Sequence, residues 1–309
     1  MRGSPSEHAL LGELLGRCTF PPPGTPVDLA VSGGADSLAL LLLAAHAGLE
    51  PTAYHVDHGL RPSSSREAQV VEEAASALGA GFAARKVEVA PGPNLEARAR
   101  AARYAALPDG VATGHTADDQ AETVLINMLR GAGLRGLAGI RSGPLHPILA
   151  LRRSETRELC AALGLVPVED ESNSDRGFLR NRIRLELVPL LSEMARRDVV
   201  PVIARQADLI RDEDDLLDGL AAGVDPRDGV CLAALDPVLA RRAVRAWLRS
   251  TDPEAHAPSA AAVERVLAVA RKVTRASDIG GRKRVRRSKG RLRLEMVEAP
   301  PRKPAPGPK

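Results

Sequence analysis

The sequence has few aromatic side chains and no long apolar run. Aromatic residues make up 2% of its 309 residues, so its core must be built from leucine, valine and alanine. No apolar stretch approaches the roughly 20 residues that a membrane-spanning helix needs. The N-terminal residues also lack the apolar stretch that is typical of a secretory signal. We therefore expect a globular protein without a membrane partner.

Cysteine is also scarce. Its three copies, Cys18, Cys160 and Cys231, are scattered and form neither a Cys-x-x-Cys pair nor a disulfide framework. This usage is typical of the reducing cytoplasm, where we expect the protein to reside. The chain is long enough for two domains. Nothing in the sequence decides whether it forms a homodimer.

A strand, a tight turn and a helix form the most informative stretch. The apolar run from Val27 to Val31 is typical of a buried parallel strand. Gly33 and Gly34 follow it, and they allow the backbone to turn sharply and to approach a ligand closely. Asp36 then stands at the start of a leucine-rich helix. The pattern predicts a ligand-binding turn after a central strand.

This turn has the chemistry of a phosphate site. The first turn of a helix carries free N–H groups and the positive end of the helix dipole, and the hydroxyls of Ser32 and Ser37 add donors. Asp36 would repel a phosphate directly, so it fits best as a Mg²⁺ ligand beside one. The turn lacks the Gly-Lys-Ser/Thr of a Walker loop and the third glycine of a dinucleotide site. A Gly-Gly turn with a Ser/Asp cap is, by itself, common to many folds.

Strands and helices alternate along the first half of the chain. Further strands are predicted over residues 51–56, 82–89 and 111–113, and helices over residues 64–78, 94–107 and 118–130. This alternation predicts a parallel α/β sheet. Polar clusters at residues 32–37, 55–61 and 114–122 all follow strands, and ligands of such sheets bind beyond the carboxyl ends of the strands. We expect the three clusters to form one site.

The histidines of these clusters allow more than one interpretation. The spacing of His55 and His58, with Asp57 and His115 available, suggests zinc, but no cysteine supports it. We interpret the histidines as polar walls of a nucleotide pocket. An ordinary hydrogen-bonded loop histidine remains the alternative for each.

Two carboxylates open the helix that follows the third polar cluster. Asp119 and Glu122 are three residues apart and lie on one helix face. Acidic residues in a first helical turn are often caps and dipole partners. At the mouth of a nucleotide site, the same pair would suit either Mg²⁺ or the ammonium group of a second substrate.

Basic residues cluster in two later segments. Arg180, Arg182 and Arg184 are either a solvated helix face, paired with Glu186, or phosphate-binding forks. A second run extends over residues 282–293 and is predicted to form a hairpin. This run is either a solvated basic strand or a site of salt-dependent phosphate binding. Its candidate phosphate contacts are Arg284, Arg286 and Arg287.

The chain divides by composition into four parts. Residues 1–26 are predicted to form an N-terminal helix and connector, and residues 27–190 a nucleotide-binding catalytic domain. Residues 191–298 are predicted to form a smaller, mostly helical domain, with helices over residues 198–220, 237–250 and 258–271. The limit near residue 190 rests on Pro189 as a helix breaker. Residues 299–309, rich in proline and basic residues, are predicted to be disordered.

Several strings resemble known families. The string Ser-Gly-Gly-Ala-Asp-Ser at residues 32–37 resembles the pyrophosphate-binding loop of the N-type ATP pyrophosphatases, the PP-loop enzymes. From about Val27 to about Leu191, the chain is similar to the tRNA(Ile)-lysidine synthetases. The strings that carry this second resemblance lie at residues 94–104, 114–123, 129–137, 170–173 and 180–184.

This resemblance implies a fold, a reaction and a set of site residues. The implied fold is a doubly wound parallel sheet with a helical tRNA-binding extension. The implied reaction uses ATP and Mg²⁺ to attach L-lysine to the first anticodon cytidine of tRNA(Ile), with Asp36 as the metal ligand and Asp119 and Glu122 as the lysine contacts. The implied ATP contacts are Ser32, Gly33, Gly34, Ala35, Asp36, Ser37, His55, Gly114 and His115.

Three other functions stay open at this point. A PP-loop tRNA thiolase would share the adenylation step, but such enzymes need a cysteine pair or an iron–sulfur cluster. A non-catalytic RNA-binding protein would not need Asp36, Asp119 and Glu122, which are all present. A ligase that amidates small molecules would not need the arginine-rich C-terminal third.

Overall fold

The computed structural model describes residues 5–57, 64–87, 95–168, 175–252 and 257–297. Contacts divide the chain into two compact units, unit 1 (Met1–Ile210) and unit 2 (Arg211–Lys309). Some residues singled out in the sequence lie outside the described ranges. They are His58 with residues 59–61, residues 88–89, residue 94, residues 170–173 and residues 299–309.

Unit 1 is built around a parallel sheet. Its elements are α1 (Pro5–Leu15), β1 (Pro26–Ala30), α2 (Ala35–His46), β2 (Glu50–Asp57), α3 (Ser64–Ala77), β3 (Gly81–Lys86), α4 (Leu95–Ala106), β4 (Ala112–Thr113), α5 (Ala117–Leu129), α6 (Leu134–Leu137), α7 (Arg153–Ala162), α8 (Leu179–Arg182), a π-helical turn (Ile183–Leu187) and α9 (Val188–Ala195). Helix α10 (Val200–Ala222) begins in unit 1 and ends in unit 2.

The strands of unit 1 form a four-stranded sheet in the order β3-β2-β1-β4, and all of its pairings are parallel. In this register, Leu29 of β1 lies between Ala53 of β2 and Ala112 of β4. The carboxyl ends of β1, β2 and β4 therefore meet at one edge, where the predicted polar clusters begin. The predicted α/β fold is confirmed.

Helix α2 forms the centre of the core of unit 1. Every residue from Leu38 to Ala44 is buried, so the helix is apolar around its whole circumference, as expected of an element enclosed by others. It packs against the sheet, α3 and α7. This burial fixes the start of α2, and with it the preceding turn, at the edge of the sheet.

Unit 2 combines helices with a small antiparallel sheet. Its remaining elements are α11 (Gly229–Ala234), α12 (Pro237–Ser250), α13 (Ala260–Ala270), β5 (Ala276–Gly280), β6 (Lys283–Ser288) and β7 (Arg291–Met296). The core contains mainly leucine, valine and alanine, with Trp247 buried among them. Val285 of β6 and Leu292 of β7 close it from the sheet side.

The predicted basic hairpin is confirmed as β6 and β7. Lys289 and Gly290 connect the strands, and both have positive φ angles, 49° and 82°. A two-residue turn of this kind matches the right-handed twist of the strands. The sheet also has a third strand, β5, which the sequence did not predict.

The contact-based division falls after Ile210, whereas the sequence places the domain limit at residues 190 and 191. Pro189 does not end a helix: it lies in the first turn of α9, where proline is tolerated. Helix α9 continues directly from α8 and the π-helical turn. The domain limits stay a prediction.

Candidate active site

The turn between β1 and α2 is held by its own serines. Ser37 Oγ donates to Gly34 O at 2.9 Å and accepts from Ser32 N at 3.1 Å. Gly33 has φ = 87°, a conformation that favours glycine. Gly34, the N-cap residue of α2, is extended and has no side chain with which to cap the first N–H groups of the helix. These N–H groups and the helix dipole form a cradle suited to phosphate.

The loop after β4 lies directly against this turn. A Cβ atom added to Gly114 would stand 2.7 Å from Asp36 O and 2.9 Å from Asp36 C. Only a residue without a side chain permits this approach. Gly114, which the sequence predicted as an ATP contact, thus brings the loop before α5 to the start of α2.

Asp36, Asp119 and Glu122 are joined by one arginine. Arg153, the first residue of α7, donates from Nε to Asp36 Oδ2 at 3.3 Å, from Nη2 to Asp119 Oδ1 at 3.0 Å and from Nη1 to Glu122 Oε1 at 3.1 Å. Thr156 Oγ1 donates to the other Asp36 oxygen at 2.5 Å. The structure therefore brings together the three carboxylates that the sequence singled out.

Arg180 and Arg184 complete the same cluster. Arg180 donates to Glu122 Oε2 at 2.7 Å and to Asp119 Oδ1 at 3.0 Å, and Arg184 Nε donates to Glu122 Oε1 at 2.7 Å. Arg182 points elsewhere: it is exposed and pairs with Glu186 at 3.5 Å. All three predicted phosphate contacts here meet carboxylates: Arg180 and Arg184 do so in the buried cluster, and Arg182 does so in the surface pair that the sequence left open.

Burial and charge shift the pKa values within this cluster. Burial raises the pKa of Asp36 above its ordinary value, against the hydrogen bond from Thr156 and the charge of Arg153. Burial also opposes ionisation of Asp119, but Arg153 and Arg180 outweigh it and hold its pKa below the ordinary value. The two acids therefore differ: charge compensation around Asp119 is more complete than around Asp36.

The capping geometry of α5 explains why Asp119 is fixed. Thr116, the N-cap residue, donates from its backbone N at 2.9 Å and from its Oγ1 at 3.0 Å to Asp119 Oδ2. This is one half of a capping box. The remaining oxygen, Oδ1, accepts from Arg153 and Arg180. Asp119 is thus a helix cap, which was the alternative interpretation from the sequence. It also belongs to the acidic cluster formed by Asp36, Asp119 and Glu122.

Two predicted wall histidines lie at the carboxyl ends of β2 and β4. His55 is buried, and its Nδ1 lies 3.0 Å from Val31 O, while its Nε2 has no hydrogen-bond partner among the described residues. Since a carbonyl oxygen only accepts, Nδ1 must carry a proton, and in the neutral ring Nε2 is then an acceptor. A buried acceptor without a partner is uncommon and calls for a donor.

His115 belongs to a second polar group. Thr113 Oγ1 lies 2.6 Å from His115 Nδ1 and 2.8 Å from His146 Nδ1. Both histidines line a cavity of about 730 Å³ beside α5, together with Tyr104, Asn127, Arg130, Arg141 and Arg180. Because Arg180 also contacts Asp119 and Glu122, the cavity borders the acidic cluster.

Sequence reasoning missed Arg153, Thr156 and Arg152. Arg152 donates to Asp118 at 3.0 Å and also pairs with Asp198. A signal for these residues does exist, since Arg152 and Arg153 stand at the N-terminus of α7, where the helix dipole disfavours cations. Two arginines at this end predict nearby carboxylates.

The three predicted basic contacts of unit 2 have different surroundings. Arg284 pairs with Asp278 at 2.6 Å. Arg287 is half-buried and donates to the Ala270 carbonyl at the end of α13. Arg286 is exposed.

Within the described parts of the chain, no helix has both the length and the apolar character for crossing a membrane.

Comparisons with known proteins agree with this architecture. A PP-loop domain model matches residues 15–191, and the TilS substrate binding domain model matches residues 231–293. A tRNA(Ile)-lysidine synthase from Mycolicibacterium paratuberculosis is 47% identical over 237 residues, which cover 71% of this chain and 73% of the relative.

Two further relatives carry the same name. The one from Nocardia farcinica is 41% identical over 268 residues, covering 82% of this chain and 83% of the relative. The one from Rhodococcus jostii is 40% identical over 242 residues, covering 73% and 74%. These matches confirm the resemblance seen in the motifs, and the chain belongs to the tRNA(Ile)-lysidine synthase family.

Proposed function

We propose that this enzyme joins the ε-amine of L-lysine to carbon 2 of the cytidine at the first anticodon position of tRNA(Ile) with a CAU anticodon. The product, lysidine, would change decoding from AUG to AUA. The observation that carries the proposal is the single network through which Arg153 links Asp36, beside the phosphate cradle, to Asp119 and Glu122. We place the reaction in the cytoplasm, carried out either by a single chain or by a homodimer.

The first step activates the cytidine. Its C2 oxygen attacks the α-phosphorus of ATP, pyrophosphate leaves, and an adenylated tRNA forms. The free N–H groups at the start of α2 and the hydroxyl of Ser32 lie where they would bind the phosphates. The buried His55 Nε2 offers an acceptor to a nucleotide hydroxyl or amino group.

The residues around Asp36 fit a Mg²⁺ ion bound with ATP. Mg²⁺ is held in such sites by one or two carboxylates together with substrate phosphates. Among the described residues, each Asp36 oxygen accepts one hydrogen bond, from Thr156 or Arg153. A carboxylate has about four lone-pair sites, so Asp36 retains capacity for a metal. Mg²⁺ would neutralise charge on the departing pyrophosphate.

The second step needs the lysine amine beside the activated carbon. The ε-amine, after losing a proton, attacks C2, and AMP leaves with the C2 oxygen. Asp119 and Glu122 would hold the ammonium group, which must replace one of their guanidinium partners. Arg180 suits this exchange best, because its side chain is 33% exposed, against 16% for Arg153. The adjoining cavity gives Arg180 a place to move.

A lysine-incorporation assay tests the reaction. Radiolabelled lysine, ATP and Mg²⁺ are supplied with an unmodified tRNA(Ile) bearing CAU, and label bound to tRNA is measured for the wild type and for Asp36→Ala. We expect ATP-dependent incorporation that the substitution lowers by about 10²- to 10³-fold, as for loss of one charge-stabilising group.

The same assay distinguishes the alternatives. Release of pyrophosphate without lysine incorporation would indicate a thiolase-like second step. Two of the described cysteines do not favour that step, because burial raises the pKa of Cys18 to about 12 and that of Cys160 to about 11. Bound tRNA with neither product would indicate an RNA-binding protein.

A further inference from the structure

We propose that the outward face of the β5–β6–β7 sheet binds the RNA sugar-phosphate backbone through Arg286 and Arg293. The inference rests on the proposed function, because it takes the substrate tRNA as the partner. It keeps Arg286 from the contacts expected from the sequence and adds Arg293, whereas Arg284 already pairs with Asp278 and Arg287 donates to the Ala270 carbonyl.

The strand register places Arg286 and Arg293 side by side. Arg286 of β6 pairs with Arg293 of β7, and both side chains are exposed. The Cβ atoms of such cross-strand partners are about 4.5–5.5 Å apart. On the other side of Arg286, the partner in β5 is the small residue Ala276. The two guanidinium groups therefore share one patch of surface.

The acidic residues of this face, Asp278 and Glu295, lie opposite Arg284 in the register. Arg284 pairs with Asp278 and lies opposite Glu295 in the register. Arg291 pairs with Asp225 at 2.8 Å. Arg286 and Arg293 have no carboxylate partner among the described residues, so the positive charge of the face is concentrated on them.

The fold gives no reason for two arginines at this pair of positions. Like charges directly opposite each other destabilise a sheet. The core is closed from the other face, by Val285 and Leu292, so an outward side chain here need not be basic. An anionic partner removes the repulsion, and guanidinium groups match phosphate oxygens with parallel N–H donors.

The composition of the face favours an RNA backbone. Its other outward positions carry small, polar or charged side chains. They are Ala276, Asp278, Arg284, Ser288, Arg291 and Glu295. A surface that inserts into lipid presents large apolar or aromatic groups, and this face has none at its described positions. A row of RNA backbone phosphates, by contrast, needs only the two neighbouring guanidinium groups of Arg286 and Arg293.

The test is the salt dependence of tRNA binding. Dissociation constants for tRNA(Ile) are measured over a salt series for the wild type, Arg286→Gln, Arg293→Gln and the double variant. Each phosphate contact contributes about 0.7–0.9 to the slope of log K against log salt. We expect each single substitution to lower the slope by about that amount, and the double variant by about twice as much.

Arg284→Gln is the matched control. It removes the same charge from the same strand, two residues away, but from an arginine already paired with Asp278. We expect a smaller change of slope than for either test variant. We also expect Arg286→Gln and Arg293→Gln to melt at temperatures no lower than the wild type, since each relieves a like-charge contact.

Several outcomes overturn the inference. Salt slopes that stay unchanged in both Arg286→Gln and Arg293→Gln would overturn it. Equal changes of slope in these two variants and in Arg284→Gln would also overturn it, because they would show only a general attraction between positive charge and tRNA. Lysine incorporation is measured on the same preparations. Incorporation by the wild type with unchanged slopes overturns this surface alone. Arginine-dependent slopes without any incorporation support the surface and overturn the proposed reaction.

Discussion

Arginines in the two units have different electrostatic surroundings. In unit 1, Arg153, Arg180 and Arg184 converge on buried carboxylates and are largely neutralised by them. In unit 2, Arg286 and Arg293 face outward without carboxylate partners among the described residues. Charges that are satisfied within the protein hold its geometry, whereas unsatisfied charges are available to a partner. A basic run in the sequence does not reveal which of these it contains.

Disrupting the unit 1 cluster of Arg153, Arg180 and Arg184 should lower the free energy of unfolding more than any other change considered below. Arg153→Met removes the side chain that bridges three carboxylates and leaves buried negative charges poorly compensated. We expect a loss of about 3–5 kcal/mol in the free energy of unfolding, measured by urea denaturation. The matched control is Arg157→Met, an exposed position on the same helix, where we expect a change within about 0.5 kcal/mol. Equal effects at both positions would contradict the bridging role.

Removing the charge of Asp119 should have a smaller, pH-dependent effect. Asp119→Asn takes away a partner of Arg153 and Arg180, and we expect a loss of about 2 kcal/mol at neutral pH. Since arginines lower the pKa of Asp119 in the folded chain, its contribution is complete above the ordinary value of 3.8 and is lost as the pH falls through the lowered pKa.

The measurement for Asp119→Asn is the free energy of unfolding of wild type and variant across this pH range. The difference should be constant from neutral pH down to about the ordinary carboxyl pKa and should shrink below it. Asp212→Asn, at an exposed position of α10, serves as the control for net charge. A difference that does not shrink with falling pH would argue against the ion pairs.

The ion pair on the unit 2 sheet should matter least for stability. Asp278 and Arg284 are both exposed, and pairs of this kind contribute little to folding. We expect Asp278→Asn to leave the melting temperature nearly unchanged. Because it releases Arg284 for phosphate, the variant should also bind tRNA more tightly, with a salt slope raised by up to about 0.9. Weaker binding would show that Asp278 positions Arg284 for RNA.

Local features of the site were predictable from the sequence. The turn after β1, the start of α5 and the hairpin all rest on residues close together in the chain, such as Gly33, Asp119 and Gly290. Their conformations follow from turn and capping chemistry that acts over a few residues. The parallel sheet followed from the alternation of strands and helices.

Long-range charge pairing was not predictable in the same way. Arg153 reaches Asp36 across 117 positions of sequence, and no local pattern states that partner. The interpretation of Arg180 and Arg184 as phosphate-binding forks stays a prediction, but nothing in the sequence indicated that both would also contact Glu122. Which carboxylate an arginine meets depends on how the sheet and helices pack, since a long flexible side chain reaches several neighbours.

Because it has no side chain, Gly114 also sets the distance between the two parts of the candidate active site. A methyl group there would clash with the backbone at Asp36, so a larger residue at position 114 would push the loop leading to Asp119 and Glu122 away from the turn before α2. The phosphate cradle and the acidic helix are therefore at a set separation. In a reaction that activates one atom and then delivers an amine to it, that separation decides how far the second substrate must travel, and a larger residue at position 114 would lengthen the path.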